Sequence, residues 1–134
     1  MSNSSEEFWI DINCVFPSQL YINVEKLNSV QKWFDDGKAH RLDALPVKII
    51  AGGLVLTDGH TRAVAAYLSG AKKLKVYWDN DELDWRAYEK CVGWCNAEGV
   101  GSLAELSRRI IEPEDYRRLW LERCRAMHEE LGIV

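Results

Sequence analysis

A small α/β domain with a helical C-terminal extension is the fold class that this sequence predicts. Three observations carry the prediction. Short β-rich runs bracketed by proline, glycine and aspartate recur up to Leu83. One of them passes through a polar turn directly into an alanine-rich helical stretch, "LVLTDGHTRAVAAYLSG", from Leu54 to Gly70. From Asp84 onward the apolar residues recur at helical spacing. The chain has 134 residues, of which 47% are hydrophobic and 28% charged, so one ordinary domain can bury a sizeable core.

The elements follow in order. Residues 1–7 are polar and read as a loose terminus. "FWIDINCVF", Phe8 to Phe16, alternates in part and reads as a strand with Phe8, Ile10, Ile12 and Cys14 on one face. Pro17 ends it. Asn23 is a helix cap, and Leu27, Val30, Trp33 and Phe34 follow at helical spacing until Gly37. Val47–Ile50 and Leu54–Thr57 flank Gly52-Gly53, a two-glycine hairpin signal. The helix after Gly59 presents Ala63, Val64, Ala66, Tyr67 and Leu68 and stops at Gly70, before a strand at Leu74–Trp78. Asp84 caps a helix that Gly99 stops. Ser102 and Glu105 form a capping box, and Pro113 sits in the first turn of a last helix running to about Leu131. Tyr116, Leu119, Trp120, Cys124, Met127 and Leu131 form its apolar side. The division expected is an α/β unit over 8–83 and a helical extension over 84–134, packed on it as a single unit or used for self-association.

Net charge is −4. Residues 1–83 hold 9 Lys and Arg against 11 Asp and Glu, and residues 84–134 hold 8 against 10, so each part carries −2 and neither is a basic arm. Phosphate neutralisation, the basis of non-specific nucleic-acid binding, is not favoured by this balance. The arginines from Arg108 to Arg125 interleave with Glu105, Glu112, Glu114, Asp115 and Glu122 and read as paired on a solvated helix face. The apolar runs fall far short of the roughly 20 residues a membrane span needs. "MSNSSEEFWIDI" has no positive side chain, which is the wrong flank for a secretory signal. A cytoplasmic protein is expected. The four cysteines, at 14, 91, 95 and 124, lack a second tight pair, so structural thiols are expected rather than a metal site. Cytosolic conditions disfavour a disulfide.

The chemistry concentrates in Asp58, Gly59, His60, Thr61 and Arg62. The first N–H groups of a helix lack intrahelical acceptors, and the helix dipole makes that end positive, so an anion can bind there. Gly59 lets a ligand approach the backbone. Thr61 offers a hydroxyl or an N-cap, and Arg62 offers a planar fork suited to phosphate. His60 can donate, accept or shuttle a proton, and Asp58 can act as a base or hold a cation. Taken alone, the same letters also spell an ordinary D-G turn.

"PVKII…GGLVLTDGHTRAVAAYLSGAKKLKVYW" resembles the ParB/sulfiredoxin superfamily, in which a hairpin, a G-x-x-R turn, an alanine-rich helix ending in glycine and a further strand follow one another. The matching residues are Gly59, His60, Thr61 and Arg62, then Ala63, Ala65, Ala66 and Gly70, and the resemblance covers roughly residues 10–80. It implies a ParB/sulfiredoxin-like small mixed sheet with helices, and phosphate or nucleotide binding at the turn. His60 stands where sulfiredoxins carry a catalytic cysteine, so their repair chemistry is not implied. ParB partition proteins carry G-E-R-R followed by a larger DNA-reading helical domain, whereas here the turn has one arginine and no glutamate and is followed by the short segment 84–134. The turn is most similar to D-G-H-H-R of the superfamily's free-serine kinases, with Thr61 replacing the second histidine. Those kinases use a glutamate shortly after the first strand. Leu20 lies near that place here, and Glu25 is the nearest candidate. The sequence as a whole looks most like a bacterial ParB-like group, and membership of that group supplies no reaction.

Asp58 and His60 are therefore the candidate catalytic residues, and Gly59, His60, Thr61 and Arg62 the candidate ligand-binding residues. A nucleotide (ATP, ADP or CTP) and Mg²⁺ are the implied cofactors, with phosphoryl transfer to a small hydroxyl-bearing metabolite as the enzymatic version. The rival readings are a non-catalytic nucleotide-sensing or protein-interaction module and, more weakly, a small DNA-associated regulator. Gln19, Tyr21 and Asn23 could read a small ligand or form a loop and a helix cap. Asp79, Asp81, Glu82 and Asp84 read as a capping or solvated acidic loop rather than a calcium loop.

Overall fold

The computed structural model describes residues 6–35 and 42–133. The expected helix stop at Gly37 lies outside them. β-branched and aromatic residues alternating with polar ones fit a half-buried pleated surface, and four such runs form the main sheet. These are β1 (Glu7–Asp11), β3 (Leu45–Ile50), β4 (Gly53–Leu56) and β5 (Lys73–Trp78), in the order β1-β5-β3-β4. β1 pairs antiparallel with β5, β5 parallel with β3, and β3 antiparallel with β4, so the sheet is mixed. Leu45, Val47, Leu56, Leu74 and Val76 are buried on one face, where Ala63, Val64 and Ala66 of α2 (His60–Leu68) join the same core.

α1 (Val24–Trp33) starts at Asn23, whose carboxamide oxygen accepts from the N–H groups of Glu25 and Lys26. α2 ends in a left-handed Gly70 (φ 91°), with Ala71 N–H bonded to Ala66 C=O and Gly70 N–H to Tyr67 C=O, the paired closure expected of such an end. α3 (Trp85–Ala97) is capped by Asp84 and stopped by a left-handed Gly99. Its Val92, Trp85 and Tyr88 cover Ile50 and Val55, while Cys91 and Cys95 join the main core. α4 (Leu103–Leu106) opens on the Ser102–Glu105 box, although Glu105 reaches back to the N–H of Gly101. α5 (Pro113–Tyr116) continues through a wide π-type stretch at Arg117–Leu121 into α6 (Glu122–Leu131). Tyr116, Trp120 and Met127 are buried along this run, as the apolar periodicity predicts. The result is a small α/β domain with a mixed sheet and a helical C-terminal extension.

Three details depart from the sequence reading. The first strand stops at Asp11, because the Asp11 carboxylate accepts the N–H of Asn13 and turns Ile12–Cys14 into a 3₁₀ turn. Cys14 is therefore exposed instead of sharing the face of Phe8 and Ile10. In the hairpin, Ile50 pairs with Gly53, so the two turn residues are Ala51 (φ 52°) and Gly52 (φ 83°). Gly53 belongs to the strand and is small for a different reason: a Cβ there would lie 3.0 Å from the Phe16 ring. Finally, the segment after Asp84 is not all helical. β6 (Ile110–Ile111) pairs in parallel with β2 (Ile22–Asn23), a two-residue ladder too short to leave a periodic trace. Among the described residues no helix is long and apolar enough to cross a membrane.

Candidate functional site

The C-terminal ends of β4 and β5 converge beside the start of β3. Thr57, just past β4, bonds through its N–H to the Pro46 carbonyl, and its buried hydroxyl donates to Asp79 Oδ2 at 2.7 Å. Asp79 is itself buried, and its Oδ1 accepts the N–H of Asp81 at 3.0 Å. This pair pins the two strand ends at the level where the turn to α2 begins. Removing the hydroxyl while keeping the shape leaves a buried carboxylate oxygen without its donor, which costs about 1–3 kcal/mol. Thr57→Val is expected to lower the free energy of urea unfolding by that amount, and an unchanged midpoint would show that the pair has no structural weight.

Asp58 is exposed, and its Oδ1 accepts the N–H of Gly59 at 2.8 Å. Gly59 takes the left-handed conformation (φ 77°, ψ 24°) and occupies the N-cap position of α2, with no side chain capping that end. Thr61, a candidate N-cap from sequence, is instead the second residue of the helix, because the chain already turns at Gly59. Gly59 has a packing reason of its own, since a Cβ there would meet Leu45 Cδ2 at 2.7 Å and Arg62 Nη2 at 3.0 Å. The Arg62 guanidinium thus folds back against the turn.

His60 is 4% exposed. Its Nε2 accepts the N–H of Ser18 at 3.0 Å, while the Ser18 hydroxyl donates to the Leu56 carbonyl at 2.7 Å. An Nε2 that accepts carries no proton, so the neutral ring holds its proton on Nδ1. Burial drives the imidazole from 6.5 down to about 4, against a smaller upward pull from the Asp58 carboxylate. The expected proton shuttle is therefore a neutral acceptor at pH 7, tied to the segment after Pro17. That segment is held by its own ladder: Phe16 N–H bonds to the Leu54 carbonyl, and Leu56 N–H to the Phe16 carbonyl.

A cavity of about 390 Å³ opens between this turn and the C-terminal helices. Ser18, Thr57, Asp58 and His60 line one side, and Tyr88, Cys91, Trp120 and Met127 are among the residues of the other. Gln19 also lines it, with its amide donating to the Tyr21 carbonyl and the Tyr116 hydroxyl, which makes it a strut between the two sides. Arg62 faces a second cavity of about 290 Å³ with Trp33 and Asp43. Of the five predicted residues on this turn, Asp58 and His60 line the first cavity and Arg62 the second, while Gly59 and Thr61 line neither. The Tyr77 hydroxyl is pushed up by burial and then by Asp79, Asp81 and Asp58, with Arg62 pulling the other way, and Tyr88 feels the same three carboxylates after its own burial.

Leu20, near the place of the kinases' glutamate, is fully buried, and Glu25 is exposed in the first turn of α1. Asn23 is spent as a helix cap. Asp84 caps α3 and pairs with Arg86. Arg117 pairs with Glu114 and Glu122 and Arg118 with Asp115 as expected, whereas Arg109 and Arg123 both meet Glu98 at the end of α3, outside the expected run. Among the described residues no group of three or more His, Cys, Asp or Glu side chains is arranged to hold a metal ion. Ser18, Thr57 and Tyr88 are site residues that sequence reasoning missed, and Asp79, expected in a capping or solvated acidic loop, is instead buried against the Thr57 hydroxyl. The Ser18–His60 and Thr57–Asp79 bonds span 42 and 22 positions, beyond the reach of a local motif.

No protein-family model matches the chain, and no curated protein sequence matches it. Among solved structures, the chain is similar to the crystal structure of protein Atu1540 from Agrobacterium tumefaciens, at 13% identity and a TM-score of 0.55. The similarity covers 85% of this chain and 65% of that one, so the chain spans just under two thirds of that protein's length. At this identity the likeness is one of fold.

Proposed function

We propose that this protein binds a nucleotide or another small phosphorylated ligand at the Asp58–Arg62 turn, as a ParB/sulfiredoxin-like domain. The observation that carries the reading is the convergence at one turn of three features: an α2 N-terminus without a side-chain cap, the Arg62 guanidinium folded against it, and a cavity bordered by Asp58. The N–H groups of that end and the guanidinium suit phosphate oxygens, and because Arg62 borders the smaller cavity and Asp58 the larger, largely apolar one, the ligand would straddle the turn between them. Mg²⁺ fits only in company with a phosphate, because it is commonly held by one or two carboxylates plus phosphate oxygens. Asp58 is the exposed carboxylate available for it, and a bound ion would neutralise phosphate charge. In the kinase version Asp58 also receives the proton of an acceptor hydroxyl, while His60, held neutral, supports the turn and does not carry the proton.

The non-catalytic sensor is favoured by one observation, the burial of Leu20 near the place where the similar kinases carry a glutamate. Calorimetry with ATP, ADP, CTP and inorganic phosphate, with and without Mg²⁺, tests both readings. Binding of at least one of these is expected. A charge-assisted hydrogen bond contributes about 1.5–3 kcal/mol, so Arg62→Ala is expected to weaken the affinity by roughly 10- to 100-fold. No binding at millimolar concentration removes both readings. Binding without turnover across hydroxyl-bearing metabolites selects the sensor. Salt-dependent DNA binding would instead revive the regulator, against which the ion-paired arginines of the last helices speak.

A further inference from the structure

One donor of the site has no acceptor within the described residues. His60 is enclosed, and its Nε2 accepts the N–H of Ser18 at 3.0 Å, which leaves the ring proton on Nδ1. The Ser18 hydroxyl does not alter this, because its own proton goes to the Leu56 carbonyl at 2.7 Å. The ring makes no hydrogen bond through Nδ1 to any described residue. Every fully buried polar side-chain atom of those residues has a partner, so Nδ1 is not fully buried and reaches open space. The open space that His60 borders is the cavity of about 390 Å³. A single N–H is therefore aimed into that cavity from a side chain that is otherwise shut in.

The rest of the lining restricts what this donor can meet. Ser18, Thr57 and Gln19 spend their donors on the Leu56 carbonyl, the Asp79 carboxylate, the Tyr21 carbonyl and the Tyr116 hydroxyl. Among the described residues no lysine or arginine lines the cavity, so an anionic group inside it would be buried without a counter-charge. A cationic group would set its own donors against the Nδ1–H. Of the two carboxylates on the lining, Asp84 is already matched by Arg86 at 2.6 Å, and Asp58 stands exposed at the border. An uncharged acceptor is what remains. Tyr88, Trp120 and Met127 give the wall an apolar surface that suits a flat ring. We infer that the cavity binds an uncharged ring bearing a carbonyl or ring-nitrogen acceptor, and that His60 Nδ1–H recognises that acceptor. The inference rests on the proposed function only for what the ring is joined to: a phosphate on the same ligand stays across the turn, beside Arg62. Burial keeps the imidazole uncharged at neutral pH, so the ring holds both roles at once, acceptor to Ser18 and donor to the ligand.

The test uses the whole chain with ¹⁵N-labelled histidine rings, and adenosine, cytidine and nicotinamide as the probes. Each is uncharged and carries an acceptor on or beside a flat ring. Ribose 5-phosphate and inorganic phosphate probe the phosphate reading separately. At least one uncharged probe is expected to bind at millimolar concentration and to shift the Nδ1 resonance of His60, assigned through its bonds in the ring. His60→Gln offers Ser18 an acceptor but lacks the Nδ1 donor. Its affinity for that probe should be roughly 3- to 10-fold weaker, the size of one neutral hydrogen bond. A far-UV spectrum and a urea midpoint establish that the variant folds, and if it does not, the Nδ1 shift in the wild type decides alone. No Nδ1 shift with any of the three, or equal affinity in the wild type and a folded variant, would overturn the inference. Binding of ribose 5-phosphate and phosphate without the uncharged probes would also overturn it and leave the phosphate reading standing. Binding of an uncharged probe with the Nδ1 shift, but of neither phosphate, would support it and count against the phosphate reading.

Discussion

Gly59→Ala is expected to destabilise the protein by about 2–4 kcal/mol, several times the cost of the same change at another left-handed glycine. Two terms add. An L-residue at φ 77° costs about 1–2 kcal/mol through the clash of its Cβ with the backbone. The new methyl would also lie 2.7 Å from Cδ2 of Leu45, which is fully buried, so any shift of that side chain is made against the core. Overpacking of that kind costs about 1–3 kcal/mol. The reduced freedom of the unfolded chain returns about 0.4–1 kcal/mol. Gly52 supplies the control, because its φ is 83° but nothing lies within 4 Å of a Cβ there, so Gly52→Ala should show the backbone term alone. Urea unfolding of the two variants at pH 7 decides the matter. Equal losses would mean that Leu45 does not confine the turn, and that Gly59 is present for its backbone angle only.

That comparison bears on how the sequence could be read. D-G followed by an alanine-rich helix marks the turn and the helix correctly, because Gly59 and Gly70 act through local backbone geometry that glycine alone relaxes. Asn23, Asp84 and Ser102 were legible as caps for the same reason: each bonds to an N–H two or three residues away. The apolar side of the last helix was legible as a period. What escaped was set by contacts distant in sequence. Ser18 meets His60 because Phe16 adds to the edge of β4, and nothing near Ser18 announces that pairing. Thr57 and Asp79 each look like ordinary turn residues until the strand ends are brought together. Gly53 was misassigned to the turn because a glycine made necessary by a neighbouring ring looks the same in sequence as one made necessary by φ. The two-residue ladder of β2 and β6 is shorter than any periodicity can report.

His60 shows the same limit at the site itself. Its position beside Asp58 suggests proton chemistry, and only its burial and its bond from Ser18 show a neutral acceptor. This makes a second large effect expected, a loss of about 3 kcal/mol of stability attributable to this one ring between pH 6.5 and pH 4. In the unfolded chain the imidazole takes up its proton near pH 6.5, whereas in the fold it does so only near pH 4. Between those values the unfolded state binds the extra proton, so stability rises with pH across the window. His60 therefore imposes no penalty above pH 6.5, and its penalty grows as the pH falls and levels off below about 4. Each pH unit of separation is worth 1.36 kcal/mol, which sets the size. The protonated ring would also point an N–H at the N–H of Ser18, so the segment after Pro17 must let go of the turn. His60→Gln, which offers an acceptor oxygen but does not titrate, isolates the effect from the carboxylates that both proteins share. Unfolding free energies at steps from pH 7.5 to 4 should fall more steeply for the wild type, with the difference opening below pH 6.5. Parallel curves would mean that the ring is solvated and protonates normally in the fold, and His60 would then return to the turn as a proton carrier.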